Sequence, residues 1–299
     1  MPVCKIHMLI LSLAVAMAAT YASGNDCGKC ANVSSNAMYT AENGITAHRG
    51  YSECFPENSL AAFSAGNDVG ADWIETDVRT TLDGKLVLIH NGNTSAYCSI
   101  NKNIHTSTYE ELCELDLAEK FRERKGVSLS DCPKHKIVLL EEALDLILKE
   151  RKARLSLQPK SDCVDKVIEV VRRKNAVQWV GFNDGNLAKM KRVKELEPSI
   201  TVFWDRFKSN IAEDIKIAKK YKFEWMVLNK NHITKDDVKL LRAAGIKVGI
   251  WTVNEPNEMK KFLDMGVDRL YTDNPLAMKR INSLLFTFLR GQALQMCDL

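Results

Sequence analysis

The chain of 299 residues is 45% hydrophobic, enough for one large folded domain or two medium ones and too apolar for a disordered chain. Its 42 basic and 38 acidic residues leave a net charge of +4 with no dominant basic block, which argues against a nucleic-acid partner.

At the amino terminus, Lys5 and His7 precede the apolar stretch MLILSLAVAMAA, which ends in the small-residue sequence TYASG. This is the pattern of a secretory signal peptide over residues 1–23, with cleavage expected between Ala19 and Gly24. The stretch is too short to span a bilayer comfortably, so no stable membrane span is expected. Removal leaves Cys27, Cys30, Cys54, Cys98, Cys113, Cys132, Cys163 and Cys297, an even set for an oxidising compartment, and disulfides are therefore expected. Their connectivity stays open. Cys27-Gly-Lys-Cys30 has no second ligand pair at zinc-site spacing. Sequons at Asn32 and Asn93 fit a secreted glycoprotein.

After a 24–43 segment, β-rich runs alternate with stretches of helical period. The runs are GITAHRG, DWIETDV, ARLSLQP, VQWVGF, ITVFWD, WMVLN, KVGIWTV and DRLYTD, and helix candidates such as LEEALDLILKE and CVDKVIEVVRR lie between them. Eight runs with helices between them predict an α/β fold, a closed (β/α)8 TIM barrel over 44–79 and 134–278. A doubly wound sheet fits less well, since no glycine-rich fingerprint follows the first run. One connection breaks the rhythm: IETDVRTTLDGKLVLIH passes between extended segments across Asp83-Gly84, too short for a parallel crossover. With Asp83 and Gly84 central in a two-residue turn, Asp77 faces His90. The hairpin and the residues to 133 form a small insertion after the second strand, expected to contain disulfides through Cys98, Cys113 and Cys132, and residues 279–299 form a tail.

Glu75 and Asp77 stand two apart on a strand and share one side. Two inward carboxylates resist joint ionisation, and a hard divalent cation, Mg²⁺ or Ca²⁺, resolves that cost. The alternative is that one caps a helix and the other pairs with Arg49. His48 and His90 end extended segments and can serve as a proton acceptor and donor across one reacting group, while the planar fork of Arg49 suits two phosphate oxygens. In PENSLAAF, Asn58 or Ser59 suits the cap of the first helix, and Glu57 lies close to the candidate phosphate site. His105, His135 and His232 are read as ordinary surface or core residues.

HRG, PENS, GADWIETDV, LDGKLVLIH and GIWTVNEPNEMKKFLDMGVDRLYTDNP together resemble the glycerophosphodiester phosphodiesterase family from about residue 45 to 276. The resemblance implies a barrel with an inserted subdomain, a divalent metal and a small-molecule phosphodiester substrate joining glycerol to an alcohol such as choline or ethanolamine. Carried over by position, it implies His48 and His90 as the catalytic pair, Arg49 as phosphate ligand, and Glu75 and Asp77 as metal ligands. Two positions depart from the family pattern. Gln158-Pro159-Lys160 replaces Glu-x-Lys, so Gln158 offers the metal an uncharged carbonyl in place of a carboxylate, and His90-Asn91 replaces His-Asp. Lys160 is expected at a phosphate oxygen, and Trp251 at the wall of the alcohol pocket, with a core aromatic as its alternative. Two other functions stay open: a lysophospholipid or sphingolipid phosphodiesterase on the same barrel, and a secreted binding protein that has lost turnover. The oligomeric state is not readable.

Overall fold

The computed structural model describes residues 43–283. The expected signal peptide, Cys27, Cys30, Asn32 and Cys297 lie outside the described residues. In chain order the strands are β1 (Ile45–His48), β2 (Trp73–Thr80), β3 (Leu86–Leu88), β4 (Val138–Leu139), β5 (Arg154–Pro159), β6 (Val180–Asp184), β7 (Thr201–Arg206), β8 (Trp225–Asn229), β9 (Lys247–Trp251) and β10 (Arg269–Thr272). The eight strands other than β3 and β4 run parallel. Strand β1 pairs with β10 on one side (Ile45 with Leu270) and β2 on the other (Thr46 with Trp73), which closes the barrel. Each of the eight runs read from the sequence supplies one barrel strand.

The helices include α1 (Leu60–Val69), α2 (Tyr109–Cys113), α3 (Glu119–Lys125), α4 (Leu140–Glu150), α5 (Val164–Arg173), α6 (Leu187–Leu196), α7 (Ile211–Tyr221), α8 (Lys235–Ala243) and α9 (Pro256–Asp264). Their placement follows from periodicity. In α5, Val164, Val167, Ile168 and Val171 recur at helical spacing and are all buried against the strands. Inside the barrel, alternation along each strand brings Trp73, Phe203, Trp225, Val227 and Tyr271 into one cluster. Arg269, fully buried, lays its guanidinium 4.6 Å from the Trp225 ring centre. The lower barrel is thus a packed aromatic core rather than a channel.

The hairpin differs from expectation by one position. Val78 pairs with Leu88 and Thr80 with Leu86, so Asp77 lies opposite Ile89 instead of His90. The loop has three residues, Leu82–Gly84, with Gly84 at φ +74° in the left-handed region that this loop length requires and glycine adopts at least cost. His90 follows the end of β3, and its position is fixed by Arg79, which donates to the His90 carbonyl from Nε (3.0 Å) and Nη2 (2.6 Å).

The insertion also lacks the expected crosslink, since Cys98, Cys113 and Cys132 are free thiols. Packing holds it instead. Cys98 donates to the Ile100 carbonyl at 3.2 Å and sits among Val87, Ile89, Tyr97, Ile104, Leu112 and Leu115, whereas Cys132 belongs to a separate cluster with Ala118 and Phe121. Each buried large aliphatic side chain there contributes roughly 1.5–3 kcal/mol relative to exposure.

Candidate active site

A cavity of about 330 Å³ opens at the carboxyl ends of the barrel strands. Seven of the eight residues singled out from the sequence line it: His48, Arg49, Glu75, His90, Gln158, Lys160 and Trp251. The eighth, Asp77, stands behind that wall and is 1% exposed.

The His-Arg-Gly motif is a turn before it is a binding element. Arg49 and Gly50 take φ of +58° and +84°, two successive left-handed residues that fold the chain back over the mouth. Only glycine fits the second position, because a Cβ there would stand 2.6 Å from that of Ala62. Arg49 accepts an unfavourable backbone conformation, costing about 1 kcal/mol, and its N–H donates to Glu75 Oε2 at 3.2 Å. Its guanidinium donates to both Glu57 oxygens at 3.1 Å and lies 3.4 Å from Asp77.

Glu57 thereby finds a function that its position ahead of α1 left open. It also accepts from the Tyr97 hydroxyl at 2.9 Å, and that hydroxyl accepts from the Asn91 N–H at 3.2 Å. Tyr97 comes from the insertion, so the excursion both delivers His90 and braces Arg49. The cap of α1 is Ser59, which accepts from Ala62 N–H at 3.1 Å. Asn58 does something else: at φ +56° it turns its amide onto β2, donating to Asp77 Oδ2 (3.1 Å) and accepting from Thr76 Oγ1 (2.7 Å). Asn tolerates the left-handed region better than most residues, which permits this placement.

The two imidazoles face the same cavity with different backing. His48 Nδ1 lies 2.7 Å from Asp273 Oδ1, and because a carboxylate oxygen only accepts, Nδ1 carries the proton and Nε2 is turned inward, 3.9 Å from Glu75 Oε2. His90 Nδ1 donates to Asn91 Oδ1 at 2.8 Å. Asn91 therefore keeps the orienting contact that an aspartate gives at that position and omits the charge. Burial disfavours the imidazolium of both. At His48 the Asp273 hydrogen bond and Glu75 overcome burial and raise the pKa; at His90 burial prevails and lowers it.

Burial, followed by the proximity of Asp77, pushes the Glu75 carboxyl up to about 7. Asp77 is buried too, yet Arg49 and Lys160, whose Nζ is 3.3 Å from Oδ1, hold its pKa below the ordinary value. Removing one partner of such a buried pair costs about 3–5 kcal/mol. The reading in which Asp77 pairs with Arg49 is thus realised together with the shared inward face of the two carboxylates.

Among the described residues, no group of three or more His, Cys, Asp and Glu side chains has metal-binding geometry. The donors nevertheless fit a hard cation. Glu75, Asp77 and the Gln158 carbonyl offer oxygen donors on adjacent strands, with Asp77 and Gln158 in register and Asp77 Oδ1 facing the Lys160 ammonium at 3.3 Å. Burial, the first cause of the raised Glu75 pKa, disfavours its charged form, and a cation beside it would favour that form again.

Asp273 and Asp205 were not singled out from the sequence. Barrel closure puts Thr272 beside Ala47, so the residue after Thr272 must neighbour His48, and an acid ending the eighth run was the available signal. Asp205 faces inward by alternation from Phe203 and lines the cavity. Across the mouth, Trp251 and Phe207 form an aromatic wall, ring centres 6.3 Å apart, with Phe207 63% exposed. His232 meets the Phe207 ring edge-on, ring centres 5.3 Å apart, His135 lies by the insertion and His105 in a short helical turn, and none of the three lines the cavity.

The model of the glycerophosphoryl diester phosphodiesterase family matches residues 48–277. A glycerophosphodiester phosphodiesterase of Caldanaerobacter subterraneus is 27% identical over 231 residues, covering 77% of this chain and 94% of the relative. A lysophospholipase D of Rattus norvegicus is 24% identical over 269 residues, covering 78% and 83%. In fold, the chain resembles an Oleispira antarctica phosphodiesterase solved with the product sn-glycerol-3-phosphate: TM-score 0.69, 23% identity, 79% of this chain and 95% of that one. The eight-stranded barrel, the paired histidines at its mouth and a family match over most of the chain converge: this chain belongs to the glycerophosphoryl diester phosphodiesterase family and is a phosphoric diester hydrolase.

Proposed function

We propose that the chain is a secreted, metal-dependent glycerophosphodiester phosphodiesterase, releasing a small alcohol and glycerol phosphate. The observation that carries this is the composition of one wall: Arg49 and Lys160 flank two inward imidazoles beside Glu75. Hydrolysis of a phosphodiester needs neutralised equatorial oxygens, an aligned attacker and a protonated leaving group, and asks little else of the protein. Arg49 and Lys160 take the phosphate charge, Arg49 held in position by Glu57. His48, backed by Asp273, and His90, backed by Asn91, carry protons at Nε2 to and from the attacking and leaving oxygens. Glu75, Asp77 and Gln158 would hold a divalent ion. When bound, it supplies further charge for a phosphate oxygen and lowers the pKa of the attacking hydroxyl, whether that of water or of the adjacent glycerol. Secretion is supported by the charged, apolar and small-residue order of the first 23 residues.

The lysophospholipid reading keeps one specific support, the exposed Phe207 beside Trp251, an apolar rim on which an acyl chain can lie. Turnover of glycerophosphocholine and of lysophosphatidylcholine, each with and without EDTA, separates the readings. The proposal expects the first diester to be hydrolysed and EDTA to abolish the reaction. Preference for the lysolipid would replace the substrate assignment. Turnover indifferent to EDTA would remove the metal, and none on either diester would favour the binding protein.

A further inference from the structure

A single hydroxyl of the insertion meets both the phosphate ligand's support and the proton carrier's support. Tyr97 is 9% exposed, and its oxygen accepts from the Asn91 N–H at 3.2 Å and donates to Glu57 Oε1 at 2.9 Å. A backbone N–H can only donate, so the one hydroxyl proton is directed to Glu57. Behind Glu57 stands Arg49, whose Nη1 lies 3.1 Å from each Glu57 oxygen, and behind Asn91 stands His90, whose Nδ1 lies 2.8 Å from Asn91 Oδ1. Arg49 and Glu57 belong to one connection, between β1 and α1, so their pairing by itself does not hold them against His90. The place of Tyr97 is set by the insertion: its ring packs with Val87, Ile89, Ile104 and Leu112, its N–H donates to the Thr94 carbonyl and its carbonyl accepts from Lys120 N–H, both at 2.9 Å.

Resting on the roles proposed above for Arg49 and His90, we propose that Tyr97 is a positioning residue that couples the two, its hydroxyl setting the distance from phosphate ligand to proton carrier. Tyr97 does not line the cavity, so its effect passes through Glu57 and Asn91. Charge neutralisation and proton transfer serve one phosphorus, and a misplacement of about 1 Å among the groups that serve it costs up to ~10²-fold in rate. The insertion is then a working part of the site: it carries His90 in sequence and, through Tyr97, sets His90 against Arg49 in space. The coupling uses none of the candidate metal ligands.

The test is steady-state kinetics on glycerophosphocholine with variants of the full chain. Tyr97→Phe keeps the packed ring and removes only the hydroxyl. It should raise KM through Arg49 and lower kcat through His90, with kcat/KM down ~10–100-fold. In a background carrying Glu57→Ala and Asn91→Ala, the hydroxyl leads to neither group. There Tyr97→Phe should cost less than about threefold, a non-additivity that independent sites do not show. A packing role alone predicts the same factor in both backgrounds, and that result overturns the inference. So does a change confined to KM or to kcat, which would place Tyr97 on one group only, or a Tyr97→Phe enzyme within about threefold of wild type. These outcomes leave the hydrolase reading intact. If wild type does not turn over glycerophosphocholine, the roles of Arg49 and His90 fall and the coupling with them. Should Tyr97→Phe fail to fold, Glu57→Ala and Asn91→Ala decide: joined by the hydroxyl, their losses in kcat/KM should depart from additivity by more than about threefold, and additive losses overturn the coupling.

Discussion

The two sides of the barrel mouth are built on opposite principles. On the β1–β2 side the charged groups and imidazoles are held by named partners: Arg49 on Glu57 and Asp77, Lys160 on Asp77, His48 on Asp273, His90 on Asn91. Phe207, Val227 and Trp251 on the β7–β9 side offer apolar surface and few directed contacts. In the function proposed above the phosphate lies on the first side and the alcohol on the second; a phosphate group is the same in every diester of this class, so its side can be fixed by hydrogen bonds that cost no reorganisation when charge develops. The alcohol varies, and an aromatic wall binds through contact area or cation–π attraction without demanding one hydrogen-bond pattern.

Perturbing the charged side should produce the largest effects. His48→Ala and His90→Ala should each lower kcat by ~10²–10⁴ on glycerophosphocholine, the usual contribution of a positioned proton carrier. Steady-state kinetics that found either variant near wild type would remove that histidine from the chemistry.

Asp273→Asn should show the same side acting in stability. Burial of Asp273 works against its ionisation, but the His48 hydrogen bond and those from Asn254 and Ser52 bring its pKa from 3.8 down to about 2. The folded value lies below the unfolded one, so the stabilisation is present above the unfolded pKa and is lost as pH falls through about 2. The variant should therefore be less stable by up to about 2 kcal/mol at neutral pH, with partial exposure reducing the figure. Urea titrations at several pH values should show that gap closing in acid, and a gap independent of pH would mean that the carboxylate charge is not its source.

The smallest effect belongs to the aromatic side. Trp251→Ala should raise KM for glycerophosphocholine about fivefold, equivalent to ~1 kcal/mol of cation–π attraction, with kcat retained. A fall in kcat with KM unchanged would place Trp251 in the reaction itself and erase the distinction between the two sides.

Much of this was legible in the chain. Eight β-rich runs with intervening helical periods define a barrel because local periodicity decides which face of each element is apolar, and eight such faces bury one another only by closing. His48 and His90 could be chosen because they end extended segments, and Glu75 because it shares one strand face with Asp77, in a fold whose sites gather at the carboxyl ends of the strands. Local sequence was less able to fix the hairpin register, where Leu82–Gly84 forms a three-residue loop and moves Asp77 opposite Ile89, because Asp-Gly serves loops of both lengths. Cysteine parity suggested crosslinks where the insertion is instead packed around free thiols.

The sequence by itself determined the architecture and most of the side chains that meet at the barrel mouth, because both rest on short-range patterns: alternation along strands, helical spacing and the residue types at strand ends. Only the tertiary structure decided who stands behind them. Asp273 behind His48, Asn58 behind Asp77, Tyr97 and Glu57 behind Arg49, and Asp205 behind Gln158 are contacts between residues 8 to 225 positions apart. Such pairings are created when the chain closes on itself, and no local periodicity records them.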